Sequence, residues 1–270
     1  MRRLVVVLFV LMTGCAPQCA PPPAPYAPGS ITRDVAYAIP LNHEGEYEVL
    51  HLDLHQPTNP NGAAVVLAHG GGFTSGNKSQ MEGEARRLVA EGYVVANINY
   101  RLRENFVGFG NINAEAVATV FDAADDARSA IRWLRTDAAR TGIDPSRISI
   151  LGVSAGAVIG LTVGMNGQDA SGNEPSGRVC SVVSRAGALI PELASADDAP
   201  TYFHHGSNDT RVPFAQARAT KDALQTKGVD VVWDVVDNGG HVPPLSATSR
   251  DAIDDFLAST TSANSPSCPR

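Results

Sequence analysis

The stretch "GVSAGA" at residues 152–157 directly follows the apolar run "RISIL" at residues 147–151. Its Gly-x-Ser-x-Gly spacing is typical of a sharp strand-to-helix turn that presents a serine hydroxyl group as a nucleophile. The run before it reads as a buried strand, and "AGAVIGLTVG" is small and apolar enough to begin a helix. Side chains in place of Gly152 and Gly156 would collide where strand and helix come close. Ser154 is therefore a candidate nucleophile, provided that the rest of the chain supplies its partners.

Strands and helices alternate on both sides of this stretch. "AAVVLAHG" at 63–70 is a continuous apolar run ending in glycine, as expected of a strand buried on both faces, and "YVVANINYRL" at 93–102 is predicted to be another central strand. Thr32–Ile39 and Tyr47–Leu54 alternate in polarity, which favours two antiparallel edge strands. The predicted fold class is α/β, with a mostly parallel central sheet and helices on both faces. Further strands are predicted within 179–189, 201–209 and 229–241, and helices at about 80–91, 122–140, 214–227 and 248–257.

The first fifteen residues read as an export signal. Arg2 and Arg3 precede the apolar run Leu4–Met12, which is too short to span a bilayer but has the length of a signal-peptide core. "LMTGCA" resembles the lipobox of bacterial lipoproteins, with lipidation at Cys15; the alternative is a simple cleaved signal. We expect an exported protein, either a membrane-anchored lipoprotein or a periplasmic or secreted one.

The remaining boundaries follow from composition. Residues 16–29 are rich in proline and predict an extended linker, residues 30–262 a single domain, and residues 263–270 a tail. Export permits a disulfide among Cys19, Cys180 and Cys268. The pair Cys180–Cys268 is favoured because the tail would otherwise fray, but the sequence does not fix the connectivity.

Charge and motif content narrow the partners. The chain has 21 Lys and Arg against 28 Asp and Glu, a formal net charge of −7, with no basic block. We therefore expect no nucleic-acid partner, and membrane contact only through the N-terminal lipid. His43, His51 and His55 lack metal-ligand spacing, and no nucleotide-binding loop occurs, so no metal or cofactor is predicted. The oligomeric state stays open.

Two loops downstream offer the groups that a serine nucleophile needs, a base and a carboxylate that orients it. Asp209 follows a predicted strand in "HHGSNDTRVP", and His241 follows the last one in "DNGGHVPP". Asp234 and Asp237 are alternative carboxylates, but both fall on or at the end of the last strand, where the geometry would be awkward. The predicted catalytic residues are therefore Ser154, Asp209 and His241.

A glycine-rich loop upstream supplies candidate donors for an oxyanion. "HGGGF" at 69–73 follows a predicted strand, and its glycines let backbone N–H groups turn toward one point. We assign the oxyanion hole to the N–H groups of Gly71, Gly72 and Ala155, the last at the positive end of a helix. His69 is expected to brace this loop by hydrogen bonding rather than to take part in chemistry.

Seven segments in order resemble the α/β-hydrolase superfamily, closest to the carboxylesterases and hormone-sensitive-lipase-like esterases. They are "LDLHQP" (52–57), "HGGGF" (69–73), "NINYRL" (97–102), "DARSAIRWLR" (126–135), "GVSAGA" (152–157), "HGSNDTRVP" (205–213) and "GGH" (239–241). The resemblance implies the α/β-hydrolase fold. Two features depart from the family: only residues 103–120 and 165–178 could form lids, which implies a minimal cap, and Val153 stands where histidine is frequent.

The resemblance also implies an activity. It points to a small secreted serine carboxylic-ester hydrolase that acts on small or short-chain acyl esters through an acyl-enzyme, including acetyl or feruloyl esters of polysaccharide. Two alternatives stay open. One is an amide hydrolase similar to the arylformamidases, and the other is a non-catalytic surface lipoprotein that keeps the hydrolase scaffold.

Overall fold

A computed structural model describes residues 24–103, 113–165 and 176–268. The signal segment with Cys15, Cys19 and most of the expected linker lie outside the described residues, as do residues 104–112 and 166–175 of the expected lids. Among the helices in the described ranges, none has the length and apolar character needed to cross a membrane.

The centre of the molecule is an eight-stranded sheet with the order β1-β2-β4-β3-β5-β6-β7-β8. Strand β2 runs antiparallel to both of its neighbours, and the six strands from β4 to β8 are parallel. The strands are β1 (Ile31–Ala38), β2 (Leu50–His55), β3 (Ala64–Ala68), β4 (Val94–Ile98), β5 (Ile148–Val153), β6 (Val182–Arg185), β7 (Thr201–Gly206) and β8 (Val231–Val236). This arrangement confirms the predicted α/β-hydrolase fold.

Helices cover both faces of the sheet because the central strands are apolar on both sides. In β3, Val66 belongs to the core under α2 and α4, whereas Val65 and Leu67 belong to the core under α1 and α6. Successive side chains of a strand point to opposite faces, so one five-residue run contributes to both cores. The helices are α1 (Glu82–Ala90), α2 (Ala114–Thr136), α3 (Ala138–Thr141), α4 (Ala155–Gly164), α5 (Phe214–Thr226) and α6 (Ala247–Thr260).

The long helix predicted at 122–140 has different bounds. It begins at Ala114, because the side chain of Asn113 caps it by accepting from the N–H of Ala116. It ends at Thr136, and the short α3 that follows stops where Gly142 takes a left-handed conformation. Residues 114–120, assigned to a lid by sequence, are therefore the first two turns of α2.

Both ends of the described chain are fixed to the domain. The N–H of Tyr26, within the predicted linker, donates to the carbonyl of Arg140, whose guanidinium lies 4.3 Å from the Tyr26 ring centroid. At the other end, Cys268 forms a disulfide with Cys180, the pairing that was favoured from the sequence.

Candidate active site

Ser154 occupies the turn between β5 and α4 in a strained backbone conformation. Its φ is 55° and its ψ is −117°, a region that side-chain-bearing residues rarely adopt. The turn is held by the Ser154 N–H, which donates to the carbonyl of Arg185 at 2.8 Å, and by the N–H of Ala157, which donates to the Ser154 carbonyl at 2.9 Å. The hydroxyl group is thereby presented at the carboxyl edge of the sheet.

The two glycines that flank Ser154 are required by close backbone contacts. A Cβ atom at Gly152 would lie 1.9 Å from the carbonyl oxygen of Gly156, and one at Gly156 would lie 2.1 Å from the carbonyl oxygen of Ala68. No side chain fits at either position without displacing the backbone. This is the physical reason, expected from the sequence, for the glycine spacing around the serine.

Three side chains from three different loops form one chain of hydrogen bonds. The Oγ of Ser154 lies 2.8 Å from Nε2 of His241, and Nδ1 of His241 lies 2.8 Å from Oδ2 of Asp209. The structure thus brings together the three residues that the sequence singled out, in the geometry of nucleophile, base and orienting carboxylate.

Asp209 is buried and held by its own loop. It is only 4% exposed, and its Oδ1 accepts from the N–H groups of Arg211 at 2.9 Å and Val212 at 3.1 Å. The ring of His205 lies beneath, with Nε2 at 2.9 Å from the carbonyl of Val212 and 3.3 Å from Oδ2 of Asp209. Burial lowers the pKa of His205, which keeps this ring neutral beside the carboxylate.

The alternative carboxylates lie elsewhere. Asp234, on β8, accepts hydrogen bonds from the Tyr202 hydroxyl at 2.9 Å and from Nδ1 of His204 at 2.8 Å. Asp237 is exposed just after that strand. Asp209 is therefore the carboxylate that contacts His241.

The glycine-rich loop after β3 is shaped to expose its N–H groups. Gly71 and Gly72 have φ values of 127° and 63°. Across the described part of the chain, the N–H groups of Gly71, Gly72 and Ala155 donate to no protein acceptor. They therefore stay candidates for binding a developing oxyanion, an assignment that remains a prediction.

His69 holds that loop in place. Its Nδ1 lies 2.6 Å from the carbonyl of Gly70, and its ring stacks on Tyr100 at 4.3 Å, whose hydroxyl donates to the His69 carbonyl at 2.8 Å. Burial lowers the pKa of His69, so the ring is neutral. Among the described residues, no hydrogen bond joins the ring of His69 to Ser154.

The cleft around these groups has a volume of about 790 Å³, within the range of small-molecule sites. Besides Ser154, His241 and the glycine-rich loop, its polar lining comprises Thr74, Ser75, Gln80, Glu84, Arg185 and Arg211. A separate, mostly apolar cavity of about 280 Å³ lies between α2, α4 and residues 188–193 and shares no lining residue with the cleft.

Among the described residues, one group of potential metal ligands lies close together. Ligand atoms of Asp53, His55 and Glu82 all fall within 4.8 Å of one another. Asp53 is already paired with Lys78 at 2.8 Å and with Arg33 at 2.8 Å. These cations neutralise the group, which we interpret as a buried ion-pair network under β1 and β2.

Sequence reasoning noted His205 beside Asp209 and assigned it no chemistry, in keeping with its supporting contacts there. It missed one residue of the cleft, Arg185, which lies at the end of a parallel strand, at the edge where Ser154 lies. Because ligands gather at the carboxyl ends of such strands, the position of Arg185 as the last residue of β6 is the signal that could have identified it.

The BD-FAE family model matches residues 52–190, more than half of the chain, and this segment contains Ser154 and the glycine-rich loop. The chain belongs to the BD-FAE family. A model of the prolyl oligopeptidase family matches residues 176–261, which contain Asp209 and His241.

Curated relatives of this BD-FAE family member are esterases by name. Esterase LipQ of Mycobacterium tuberculosis is 26% identical over 285 residues, covering 86% of this chain and 65% of that protein. Cholinesterase 2 of Branchiostoma lanceolatum is 38% identical over 101 residues, covering 36% of this chain and 29% of that protein. The chain spans less than two thirds of the length of these relatives.

Solved structures similar to this BD-FAE family member share its fold. Esterase 2 of Thermogutta terrifontis, phosphorylated by paraoxon, has a TM-score of 0.67 at 22% identity, covering 87% of this chain and 95% of that one. A truncated carbohydrate esterase from gut microbiota has a TM-score of 0.68 at 19% identity, covering 88% and 99%.

Proposed function

We propose that the protein is a serine hydrolase that cleaves carboxylic esters of small acyl groups through an acyl-enzyme. The observation that carries the proposal is the hydrogen-bonded chain Ser154–His241–Asp209, with both links at 2.8 Å, in which Ser154 and His241 line the cleft. The family and the esterase names of the relatives support it.

The geometry assigns each group one part of the reaction. The Oγ of Ser154 attacks the ester carbonyl carbon while Nε2 of His241 takes its proton. The carbonyl oxygen becomes negative and is bound by the N–H groups of Gly71, Gly72 and Ala155. The imidazolium then protonates the departing alcohol, and Asp209 holds the Nδ1 proton throughout.

The second half repeats these steps with water. His241 removes a proton from a water molecule as that water attacks the acyl carbon. The imidazolium then returns the proton to Oγ of Ser154 as the bond from Oγ to the acyl carbon breaks and the acid leaves. No further cofactor is needed for either half-reaction, since both proton transfers use the same imidazole.

Short acyl groups, including acetyl or feruloyl groups on polysaccharide, are our proposed substrates. The volume of about 790 Å³ and the polar lining suit a small polar ester better than a long alkyl chain. The carbohydrate esterase among the similar structures supports the polysaccharide reading.

A second candidate is an amide hydrolase. The match of residues 176–261 to the prolyl oligopeptidase family favours it, because those residues supply both Asp209 and His241. The two candidates differ in the leaving group that His241 must protonate, so matched ester and amide substrates separate them.

The test is hydrolysis of p-nitrophenyl acetate, butyrate and octanoate, with p-nitroacetanilide as the matched amide. Wild type should cleave the acetate fastest, and Ser154→Ala should lower kcat by several orders of magnitude. Ser129→Ala, on α2, controls for loss of a serine hydroxyl elsewhere. Activity retained in Ser154→Ala would overturn the assignment. Failure of a fluorophosphonate probe to label folded wild-type protein would favour a non-catalytic module.

Export and a lipid on Cys15 also belong to the proposal, on the strength of the lipobox-like "LMTGCA". Labelling with a palmitate analogue in a bacterial host should mark wild type and not Cys15→Ser. Release of unlabelled protein from wild-type cells would support a simple cleaved signal instead.

A further inference from the structure

Arg185 lies beside the nucleophile but takes no part in the steps described above. It is the last residue of β6, opposite Val153 in the sheet, and its carbonyl accepts from the N–H of Ser154 at 2.8 Å. Its side chain lines the same cleft as Ser154 and His241. A substrate bound at Ser154 therefore occupies the same cleft as this guanidinium group.

The guanidinium group of Arg185, on a half-buried side chain, has few of the partners that a cation partly withdrawn from water needs. Within the described ranges, its one hydrogen-bond contact is a long one, from Nη2 to the carbonyl of Pro243 at 3.5 Å. Its Nε is buried without an acceptor. Across the described residues, no carboxylate lies within 4.0 Å of it, whereas buried charges in proteins are as a rule paired.

No unpaired carboxylate among the described lining residues balances the charge of Arg185. Glu84 is the one carboxylate among the described lining residues, and its Oε1 is bound by Arg87 through Nε at 3.1 Å and Nη2 at 2.7 Å. Arg211, which is exposed, lines the cleft as a second cation. The wall near Ser154 therefore carries two guanidinium groups and one carboxylate that is already paired.

Desolvation acts on Arg185 in the direction expected of a half-buried cation without a carboxylate partner. Burial lowers the pKa of its guanidinium, with Glu84 opposing this effect from a distance. An arginine stays protonated at neutral pH all the same, so the charge and its unmet hydrogen-bonding capacity persist in the free protein. An anionic ligand would supply the opposite charge and the hydrogen-bond acceptors that this guanidinium group lacks.

We propose that Arg185 binds a carboxylate carried by the ester substrate, next to the bond that Ser154 attacks. The inference rests on the proposed ester hydrolysis and adds the class of substrate: monoanionic esters, with the carboxylate on either the acyl or the alcohol side. A guanidinium group matches a carboxylate because two parallel N–H donors meet its two oxygens.

Two matched pairs of substrates test this and distinguish the two sides. For the alcohol side, the pair is para-carboxyphenyl acetate and para-carbamoylphenyl acetate. For the acyl side, it is the p-nitrophenyl esters of para-carboxybenzoic and para-carbamoylbenzoic acid. Each pair differs only in the charge of a group of nearly constant shape, so the ratio of kcat/KM within a pair measures recognition of the anion.

In wild type we expect the ratio to favour the carboxylate in at least one pair. Arg185→Met should lower that ratio by about 10- to 100-fold, the usual effect of losing a hydrogen bond to a charged group. Arg185→Lys should keep part of the preference for the carboxylate, since lysine retains the positive charge but lacks the two parallel N–H donors. Arg218→Met, an exposed arginine on α5 that does not line the cleft, controls for net charge and should leave the ratio within twofold.

The outcomes separate the two proposals. If wild type cleaves none of the four esters, ester hydrolysis itself fails. If it cleaves them but the ratio is the same in Arg185→Met, the anion site is overturned and ester hydrolysis stands. Should Arg185→Met not fold, inhibition of wild type decides: benzoate should inhibit at least tenfold more strongly than benzamide, and equal inhibition would overturn the anion site.

Discussion

The peptide backbone of Gly156 on α4 lies against the carbonyl oxygen of Ala68 on β3, so closely that a Cβ atom at Gly156 would be 2.1 Å from that oxygen. This contact sets how deeply α4 sits on the sheet. It thereby fixes the position of the Ala155 N–H relative to the loop that follows β3, where Gly71 and Gly72 lie. The contact between Gly156 and Ala68 thus sets the relative position of the candidate oxyanion donors, although none of those N–H groups takes part in it.

Replacing Gly156 by alanine should therefore destabilise the fold. We expect Gly156→Ala to lower the free energy of unfolding by about 3 kcal/mol or more, because backbone must move to admit the methyl group. Activity per folded molecule should fall as well, since the Ala155 N–H is displaced. Urea unfolding and the rate on p-nitrophenyl acetate measure the two effects.

Gly83→Ala is the matched control. A Cβ at Gly83, the second residue of α1, would meet nothing within 4 Å. Alanine at this compatible position should stabilise the protein by about 0.4–1 kcal/mol. Equal effects of the two substitutions would show that the contact with Ala68 does not constrain α4.

The strain at Ser154 predicts a difference between two inactive variants. Since φ is 55° at this position, glycine adopts the native conformation at less cost than alanine does. Ser154→Gly should be about 1 kcal/mol more stable than Ser154→Ala, although both lack the nucleophile. The unfolding midpoints of the two variants in urea decide this, and a more stable alanine variant would contradict it.

Removing the charge of Asp209 should impair catalysis without disrupting the fold. Asparagine would offer its oxygen or its amide group to His241 and would not hold the required tautomer, which in serine proteases costs about 10⁴-fold in kcat. We expect a loss of at least about 10³-fold in Asp209→Asn. Asp237→Asn, four residues before His241 and exposed, should retain activity within a few-fold. A larger loss in Asp237→Asn than in Asp209→Asn would move the carboxylate role to Asp237, just after β8.

Buried histidines make stability fall in mild acid. Burial lowers the pKa values of His55, His69 and His205 below their ordinary value of 6.5. Below about pH 6.5 the unfolded chain binds protons that these folded-state rings do not, so the free energy of unfolding decreases as the pH falls through that window. Stability should therefore be lower at pH 5.5 than at pH 7.5.

Substitution of one ring tests the cause. His205→Gln should flatten the change between those two pH values, because glutamine can still donate to the Val212 carbonyl but does not titrate. His43→Gln, at an exposed position, should leave the slope as in wild type. An unchanged slope in His205→Gln would assign the effect to other groups.

The disulfide should contribute strongly to stability. It joins Cys180 and Cys268, 88 residues apart, and a loop of that length corresponds to about 4–5 kcal/mol in the chain-entropy account. The double alanine variant should melt roughly 10 to 15 °C lower. Wild type in reductant should match it, and an unchanged melting midpoint under reduction would contradict the prediction.

The sequence predicts the parts of the site that depend on local backbone demands. Gly152 and Gly156 are fixed by contacts within one strand-turn-helix unit, so their spacing around Ser154 is readable without a structure. Asp209 and His241 could be placed because parallel strands bring their loops to one edge of the sheet. Asp209 was preferred to Asp234 because Asp209 lies in a loop after a strand, whereas Asp234 falls on the last strand.

What the sequence could not supply depends on long-range packing. The start of α2 was missed because Val117 and Val120 are weak helix formers, and the capping role of Asn113 is visible only once the helix is assumed. Arg185, on β6, lacks a carboxylate partner because the carboxylate lining the cleft, Glu84, is already paired with Arg87 on α1. No periodicity within β6 encodes that arrangement.

Tyr26 and Cys268, near the two ends of the described chain, both attach at the amino-terminal edge of the sheet: Tyr26 contacts Arg140 shortly before β5, and Cys268 bonds to Cys180 shortly before β6. Ser154 lies at the far end of β5. A fusion partner or a solid support attached next to Tyr26 or Cys268 would therefore lie on the side of the sheet opposite Ser154 and leave the cleft open to solvent.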